Sequence, residues 1–411
     1  MRISLLMNIV LLIFLTVCGQ DKADAVASLR AVIHRPDGID IPFTILSKKQ
    51  NGERSWVVKN SDERIALKNL RKAGDSLFTE FPVFESQLHL GPLRDGEYRG
   101  YWFKGSPEGY NTQALSVYPN QHFRFKPKTG KPLPMIAGRW AVSFTRPDKR
   151  QRPAIAEFKQ KGCRLTGTIL TPSGDYRYLE GIVSGDSLQL STFDGSHAFY
   201  FRAHIDSDHK ISGGLYFSGT SHLESWSAIK NPEAKLPVDN QKIDLSTEKK
   251  GLDFSFPDLN GKMLSIKDKR FRNKVVIIQL MGSWCSNCMD ETAFLSEYYR
   301  KNKSRGIEII ALAYEFSTDT ARSRKSLRKF QARFHIQYPV LITGVTASDS
   351  LRTQKTLPQL ERVENFPTSI FLDKSGKVQK IDAGFNGPAT GEHYEEQKKM
   401  FYSTVDKLLS E

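Results

Sequence analysis

Cysteine is scarce in this sequence. Only four occur among 411 residues, namely Cys18, Cys163, Cys285 and Cys288. Four thiols are too few to build the disulfide framework of a small secreted scaffold. Hydrophobic cores must therefore hold the fold together. A structural zinc site is also excluded, because no second Cys-x-x-Cys or Cys/His pair could supply the two further ligands.

A concentrated basic surface is missing as well. Lys and Arg outnumber Asp and Glu by 60 to 45, a net charge of +15, yet only the segment Arg322–Arg333 is locally dense. A nucleic-acid binder is expected to gather its basic residues into a patch or a known reading module. We therefore predict a solvated basic surface and no nucleic-acid partner, while weak attraction to anionic lipid head groups stays open.

The histidines of the middle of the chain lack the spacing of a metal site. His197, His204, His209 and His222 form no helical His-x-x-x-His pair, and no Cys or Asp spacing completes a ligand set. We interpret them as ordinary histidines of a β domain. The sequence predicts neither a metal nor an organic cofactor.

The one long apolar run lies at the start of the chain. It follows Arg2, covers Leu5–Leu15 with a single Asn, and is too short to cross a bilayer comfortably. The sequence Leu15-Thr16-Val17-Cys18-Gly19 resembles the lipobox of bacterial lipoproteins, with Val17 as a departure. The resemblance implies a signal segment over residues 1–18 and lipid attachment at Cys18.

This start of the chain also predicts where the protein works. The resemblance implies a lipoprotein anchored in the membrane of the cell envelope, facing the periplasm of a Gram-negative-type bacterium. An ordinary secretory signal with an incidental cysteine is the alternative. In either case the chain is exported, and its redox setting is that of the envelope.

Two β-rich regions follow. From residue 25 to 134, apolar alternations broken by hairpin-type turns at Asn51-Gly52 and Asp95-Gly96 predict a small sandwich. From residue 135 to 231, recurring tight turns favour an antiparallel meander, closed as a barrel or folded as a sandwich. Cys163 begins one of its strands and is expected to be a buried, inert thiol. The strands predicted there are Trp140–Phe144, Ala154–Phe158, Arg164–Leu170, Tyr176–Val183, Ser187–Thr192, His197–Ile205 and Lys210–Phe217.

A polar segment over residues 232–250 is predicted to link these regions to a C-terminal domain over 251–411. That domain alternates strand and helix and then adds a hairpin and a closing helix, which is typical of an α/β sandwich. The predicted strands are Val275–Leu280, Gly306–Leu312, Tyr338–Ile342, Thr368–Leu372 and Val378–Ile381, and the predicted helices are Cys288–Lys301, Thr318–Phe334 and Tyr394–Leu409.

The strongest chemical signal is a pair of cysteines after the first of these strands. The strand runs into Trp284-Cys285-Ser286-Asn287-Cys288, which opens a helix. A helix N-terminus stabilises a thiolate through its free N–H groups and dipole, so Cys285 is the predicted nucleophile. Cys288, three residues on, is expected to face inward as the resolving thiol. Trp284 is expected to limit the access of water.

With these residues in place, the C-terminal domain resembles the thioredoxin fold and, within it, the membrane-associated thiol-disulfide oxidoreductases of the TlpA/ResA type. The resemblance rests on the Cys pair, on Pro257–Lys262 before it, on Glu291 after it, and on Phe366-Pro367-Thr368 followed by Ser369–Gly376. The resemblance implies a thioredoxin fold for roughly the last two-fifths of the chain.

The resemblance also implies roles for individual residues. Pro367 is expected to be a cis-proline beside the disulfide. Phe366, Thr368 and Trp284 are expected to contact a substrate segment. Glu291 is expected to help move the proton of Cys288, with Asp290 as an alternative.

Three positions depart from the family pattern. Gln279 stands where many thioredoxins carry a buried acid, so assisted proton transfer would fall to Glu291 or to water. Ala293 replaces a proline that kinks the active-site helix. Ser286-Asn287 is an unusual dipeptide between the cysteines, so the reduction potential cannot be predicted from it. A peroxidase is disfavoured, because Gly282 stands where peroxiredoxins place a threonine.

The sequence therefore predicts an exported thiol-disulfide oxidoreductase that reduces disulfides of exported partner proteins. The reductase direction follows from the resemblance alone, and it requires a membrane thiol relay as electron donor. The alternative is a surface ligand-binding lipoprotein in which the redox domain is auxiliary.

Overall fold

The computed structural model describes residues 26–50, 53–128, 133–237 and 251–411. The predicted signal segment, Cys18, the Asn51-Gly52 turn and most of the predicted linker lie outside the described residues. The described chain forms two large antiparallel β-sheets and a C-terminal α/β domain. No helix within these ranges is long and apolar enough to cross a bilayer.

The first sheet has nine antiparallel strands in the order β4-β3-β2-β1-β9-β8-β7-β6-β5, and it curls round until its two edge strands meet, because Leu67 alone joins them. Its strands are β1 (Ala27–His34), β2 (Asp40–Gln50), β3 (Glu53–Asn60), β4 (Glu63–Ala66), β5 (Lys68–Ala73), β6 (Ser76–Glu80), β7 (Ser86–Pro92), β8 (Tyr98–Ser106) and β9 (Gly109–Tyr118). Side chains at alternate positions, such as Leu29, Ala31 and Ile33, are buried on one face of the sheet.

The second sheet closes into a barrel. Its strands are β10 (Gly138–Thr145), β11 (Gln151–Lys161), β12 (Arg164–Thr171), β13 (Gly174–Asp175), β14 (Leu179–Ser184), β15 (Ser187–Phe193), β16 (Ala198–Ser207), β17 (Lys210–Ser218) and β18 (His222–Lys230). Strand β11 pairs with both β10 and β12, which closes the ring. The antiparallel meander is confirmed in its barrel form, and β18 is a strand that the sequence did not predict.

The first region is the predicted antiparallel β region, built from one curled sheet and not from two stacked sheets. The apolar face of its single sheet packs on the outside of the barrel, in one cluster that includes Phe43 of β2 and Phe193 of β15. The ring centroids of these two residues are 4.4 Å apart. The alternating pattern in the sequence shows that one face is buried, but it does not show which surface covers that face.

Two further details of the barrel region differ from the prediction. Cys163 is a free, partly exposed thiol, because it lies in the tight turn between β11 and β12 and not inside a strand. The predicted strand Tyr176–Val183 begins only at Leu179. The residues before it form a loop in which Arg177 has a left-handed backbone, with φ of 55°.

The C-terminal domain has a five-stranded sheet in the order β23-β22-β21-β24-β25 and a separate hairpin of β19 and β20. The strands are β19 (Ser255–Pro257), β20 (Met263–Ser265), β21 (Val275–Met281), β22 (Ile307–Ala313), β23 (Val340–Ile342), β24 (Thr368–Leu372) and β25 (Val378–Ala383). The helices are α1 (Ser286–Asn302), α2 (Thr320–Phe334), α3 (Arg352–Thr356) and α4 (Glu392–Ser410). Parallel β21, β22 and β23 with antiparallel β24 and β25 form the predicted thioredoxin-like fold.

The basic helix α2 docks on the first sheet. Arg322 Nη2 donates to Glu85 Oε2 at 2.6 Å, and Ser326 Oγ donates to the other oxygen of the same carboxylate at 2.5 Å. Phe84, the neighbour of Glu85, belongs to the core of the C-terminal domain. The locally dense basic segment is thus partly engaged in an internal interface.

Candidate active site

The cysteine pair lies where β21 passes into helix α1. Cys285 is the N-cap of α1, and its Sγ accepts the backbone N–H of Cys288 at 3.1 Å. The two residues form a disulfide with a Cα–Cα distance of 5.2 Å. Cys285 keeps 6% of its surface exposed whereas Cys288 is fully buried, so only the first thiol can be approached from outside. This placement suits an attacking and a resolving thiol.

The loop before β24 faces the cysteines from across the site. The Phe366–Pro367 bond is cis, which confirms the predicted geometry of Pro367. Cys285 Sγ lies 3.6 Å from the carbonyl oxygen of Phe366. Thr368 is fully buried, and its Oγ1 donates to the Asn365 carbonyl at 2.8 Å, so its side chain is not available to a substrate. The contribution of Phe366 to substrate binding stays a prediction.

Trp284 is fixed by three contacts beside the pair. Its Nε1 donates to the carbonyl of Tyr314 at 2.8 Å. Its ring stacks on Phe316 at 5.2 Å and meets Phe366 edge-on at 5.8 Å. These contacts hold the indole in one orientation. Trp284 and Cys285 line the same cleft.

Glu291 is a buried acid one turn along α1 from Cys288. Its Oε2 accepts the side-chain amide of Gln279 at 2.8 Å, and its Oε1 accepts the hydroxyl of Ser369 at 2.9 Å. Burial raises the pKa of Glu291 to about 7, because the two hydrogen bonds only partly offset the loss of water. Gln279 stands at the position where an acid is expected in thioredoxins, and its side-chain amide holds the Glu291 carboxyl in place.

Asp290, the alternative acid, is engaged in another contact. Arg177 of the barrel loop donates through Nη1 to Asp290 Oδ2 and through Nη2 to Glu63 Oε1 of the first sheet. Burial raises the pKa of Asp290 to about 7, although Arg177 acts to lower it. Arg177 thus joins all three parts of the structure at one buried point.

The dipeptide between the cysteines also contacts the barrel. The Ser286 carbonyl accepts from Arg177 Nη1 at 3.3 Å. With its amide oriented to pair with the backbone of Asp175, Asn287 donates to the carbonyl at 3.2 Å and accepts the N–H at 2.9 Å. Asp175 Oδ2 in turn accepts the Gly387 N–H at 2.8 Å. Ser286 and Asn287 therefore serve as docking residues for the barrel loop.

The barrel and the C-terminal domain enclose a cleft at the disulfide. Its volume is about 240 Å³. Trp284, Cys285 and Phe366 line it from one domain, and Tyr176, His197 and Phe199 line it from the other. A disulfide approaching Cys285 through this cleft meets side chains of both domains.

A second buried acid supports the loop before the cysteines. Glu315 accepts the backbone N–H of Ser283 at 2.8 Å and its hydroxyl at 2.6 Å. Burial raises the pKa of Glu315 to about 7, although these hydrogen bonds act to lower it.

Sequence reasoning missed Glu315, Arg177 and the cleft face of the barrel. For the barrel, the recurring tight turns, which include Ser173-Gly174-Asp175 and Asp194-Gly195-Ser196, were a signal, but a turn does not reveal what it faces.

Comparison with known proteins adds relatives for the C-terminal part. The Redoxin family profile matches residues 246–397. The chain is 34% identical over 152 residues to a thiol-disulfide oxidoreductase ResA of Bacillus thuringiensis subsp. konkukian, covering 37% of this chain and 76% of that protein. It is 29% identical over 132 residues to the ResA of Geobacillus thermodenitrificans, covering 32% and 66%. A solved thiol-disulfide oxidoreductase of Bacteroides fragilis matches at 21% identity, covering 36% and 99%, with a TM-score of 0.28.

Proposed function

This chain belongs to the family of ResA thiol-disulfide oxidoreductases, and from that membership we propose that it reduces disulfide bonds of exported partner proteins. The observation that carries the proposal is the Cys285–Cys288 pair, capped at α1 and open on one side only. Cys285 would be the thiol that meets the partner, and Cys288 the thiol that releases it.

The proposed reaction proceeds in two exchanges. The Cys285 thiolate attacks one sulfur of the partner disulfide, so a mixed disulfide forms and the other partner sulfur is released. Cys288 then attacks Cys285, which releases the second partner sulfur and forms the Cys285–Cys288 disulfide. The partner gains two electrons and two protons, and the protons are those that the two cysteine thiols lose.

The proton of Cys288 has to leave a fully buried position. Glu291 lies three residues further along the same helix, and side chains at that spacing share one face. Its raised pKa, about 7, lets the carboxyl both accept and release a proton near neutral pH. We assign Glu291 the role of proton acceptor for Cys288, with Gln279 and Ser369 as the groups that hold it.

The place of action is part of the proposal. The lipobox-like Leu15–Cys18 supports a lipid anchor at Cys18 and a site in the cell envelope, facing the periplasm. Two electrons per cycle must then come from a thiol donor in the membrane, because the pair ends each cycle oxidised.

Trapping tests the proposal. A Cys288→Ser chain lacks the resolving thiol, so Cys285 should stay bonded to its partners, and mass spectrometry after non-reducing electrophoresis should identify them. The partly exposed Cys163 could form adducts of its own, so the background chain carries Cys163→Ser. Adding Cys285→Ser to that background should abolish the adducts. Adducts that persist without Cys285 would overturn the proposal. The absence of adducts in the Cys288→Ser chain that retains Cys285 would overturn it too.

A further inference from the structure

We propose that His197 of the barrel is a further catalytic residue of the Cys285 site. With Asp194 it forms an acid–base dyad that gives a proton to the sulfur leaving the partner disulfide. The inference rests on the proposed function, because it names the acid for that exchange. The barrel would then contribute a reacting group as well as a wall of the cleft.

The dyad is built by one tight turn between β15 and β16. Asp194 Oδ1 accepts the backbone N–H groups of Ser196 at 2.7 Å and His197 at 2.6 Å, and Asp194 Oδ2 lies 3.0 Å from His197 Nδ1. Burial raises the pKa of Asp194, but His197 and Arg177 together outweigh it and bring the pKa down to about 2. A carboxylate can only accept, so Nδ1 carries a hydrogen and Nε2 is the nitrogen that exchanges a proton.

The turn is anchored at both neighbouring domains. The carbonyl of Gly195 accepts from Trp102 Nε1 of the first sheet at 3.2 Å. Ser196 Oγ donates to the carbonyl of Trp284 at 3.4 Å, and Trp284 directly precedes the nucleophile. The turn that carries the dyad thus contacts the backbone next to Cys285.

The imidazole itself is positioned and accessible. Phe84 and Phe199 pack against it, with ring centroids 6.1 and 5.4 Å from that of His197. The side chain is 24% exposed and lines the cleft that Cys285 lines. Within the part of the chain that the structure describes, its Nε2 makes no hydrogen bond, so that nitrogen is available to a group in the cleft.

The proton balance of the first exchange follows from this arrangement. The Cys285 thiol ionises and His197 Nε2 takes its proton, while the Asp194 carboxylate stabilises the imidazolium. The thiolate attacks, the partner S–S bond breaks, and the new bond joins Cys285 Sγ to one partner sulfur. The imidazolium then gives its proton to the other sulfur, which leaves as a thiol and returns the histidine to its neutral form.

Two disulfides with different leaving groups test the proposal. Glutathione disulfide releases an alkyl thiolate that needs a proton at neutral pH, whereas 5,5′-dithiobis(2-nitrobenzoate) releases an aryl thiolate that does not. Single-turnover rate constants of the reduced full chain are measured with both. Both reactions start from the same Cys285 thiolate. A change in the ionised fraction of Cys285 therefore cancels when the rate constant for glutathione disulfide is divided by that for the aryl disulfide, which gives the alkyl-to-aryl ratio.

We expect His197→Ala to lower this ratio by about a hundredfold, the lower end of what general acids contribute. His197→Gln, which still reaches Asp194 but cannot transfer a proton, should lower it equally. His204→Ala is the matched control, since His204 is 54% exposed on the same barrel, lies 3.8 Å from Asp206, and does not line the cleft.

A ratio that both His197 variants leave within about twofold of the wild type would overturn the dyad, whatever their absolute rates. A control variant that lowers the ratio as much as they do would overturn it too. A reduced wild-type chain that reacts with neither disulfide would instead overturn the proposed function, and this inference with it.

Discussion

Removing the charge of Glu291 should change how the stability of this protein depends on pH. Burial raises the pKa of Glu291 from 4.5 to about 7. The folded protein therefore binds more protons than the unfolded chain between these two pH values. The stability that this group contributes is fully present below pH 4.5 and is lost as the pH rises through 7.

The magnitude follows from the two pKa values. Between pH 5 and pH 8, the charge on Glu291 should cost the folded state about 2–3 kcal/mol, at about 1.4 kcal/mol per pKa unit. A Glu291→Gln chain has the same shape and does not titrate. It should therefore lose about 2–3 kcal/mol less stability than the wild type between these pH values.

The assay is urea unfolding of the oxidised full chain at pH 5 and pH 8, followed by tryptophan fluorescence. Comparing the two pH values within each protein removes any pH-independent packing change that the substitution causes. Glu297→Gln on the same helix is the control, because Glu297 is an exposed residue paired with Lys301 and should show little change. If the wild type and Glu291→Gln lose equal free energy between pH 5 and pH 8, the carboxyl does not have a raised pKa.

Two further predictions concern the contacts of the barrel. Arg177→Met should destabilise the folded chain by about 3–5 kcal/mol, because it leaves the carboxylates of Asp290 and Glu63 buried without their cation. Urea unfolding at pH 8 measures the free energy of unfolding of both chains. A loss of stability under about 1 kcal/mol would contradict the prediction. Gly195→Ala should cost about 1–3 kcal/mol, because Gly195 has φ of 97° and an added Cβ would lie 2.2 Å from Phe81 Cδ1. A thermal melt of that variant that matches the wild type would show that the turn can take up a side chain at this position.

The secondary structure of the C-terminal domain was largely predictable. The apolar run Val275–Met281 is buried at every position, as a central strand covered on both faces requires. Strand Thr368–Leu372 was predicted with its observed bounds. The cis bond at Pro367 followed from the family resemblance, not from the periodicity of the chain.

The candidate site was predictable only in its C-terminal half. Cys285, Cys288 and Glu291 lie within one short motif, so the helical period alone sets their relative placement. Arg177 and Asp290 are 113 positions apart, and their contact depends on how the barrel packs against α1. No local pattern carries that information.

His197 illustrates the same limit. Its spacing to the other histidines forms no helical metal pair, so the sequence offered no reason to single it out. The spacing could not show that Ser196, in the same turn, contacts the backbone of Trp284, 88 positions further on.

The sequence by itself determined the redox chemistry, because a strand, a helix start and two cysteines three positions apart are encoded within a single local stretch. It also determined that two β regions precede this stretch, since alternation and turns are local properties too. Only the tertiary structure decided that the barrel covers the Cys285–Cys288 pair and adds Arg177 and His197 to its surroundings. That decision depends on the packing of surfaces far apart in the chain, and such packing follows from complementary shape and charge in three dimensions, not from the spacing of residues along the chain.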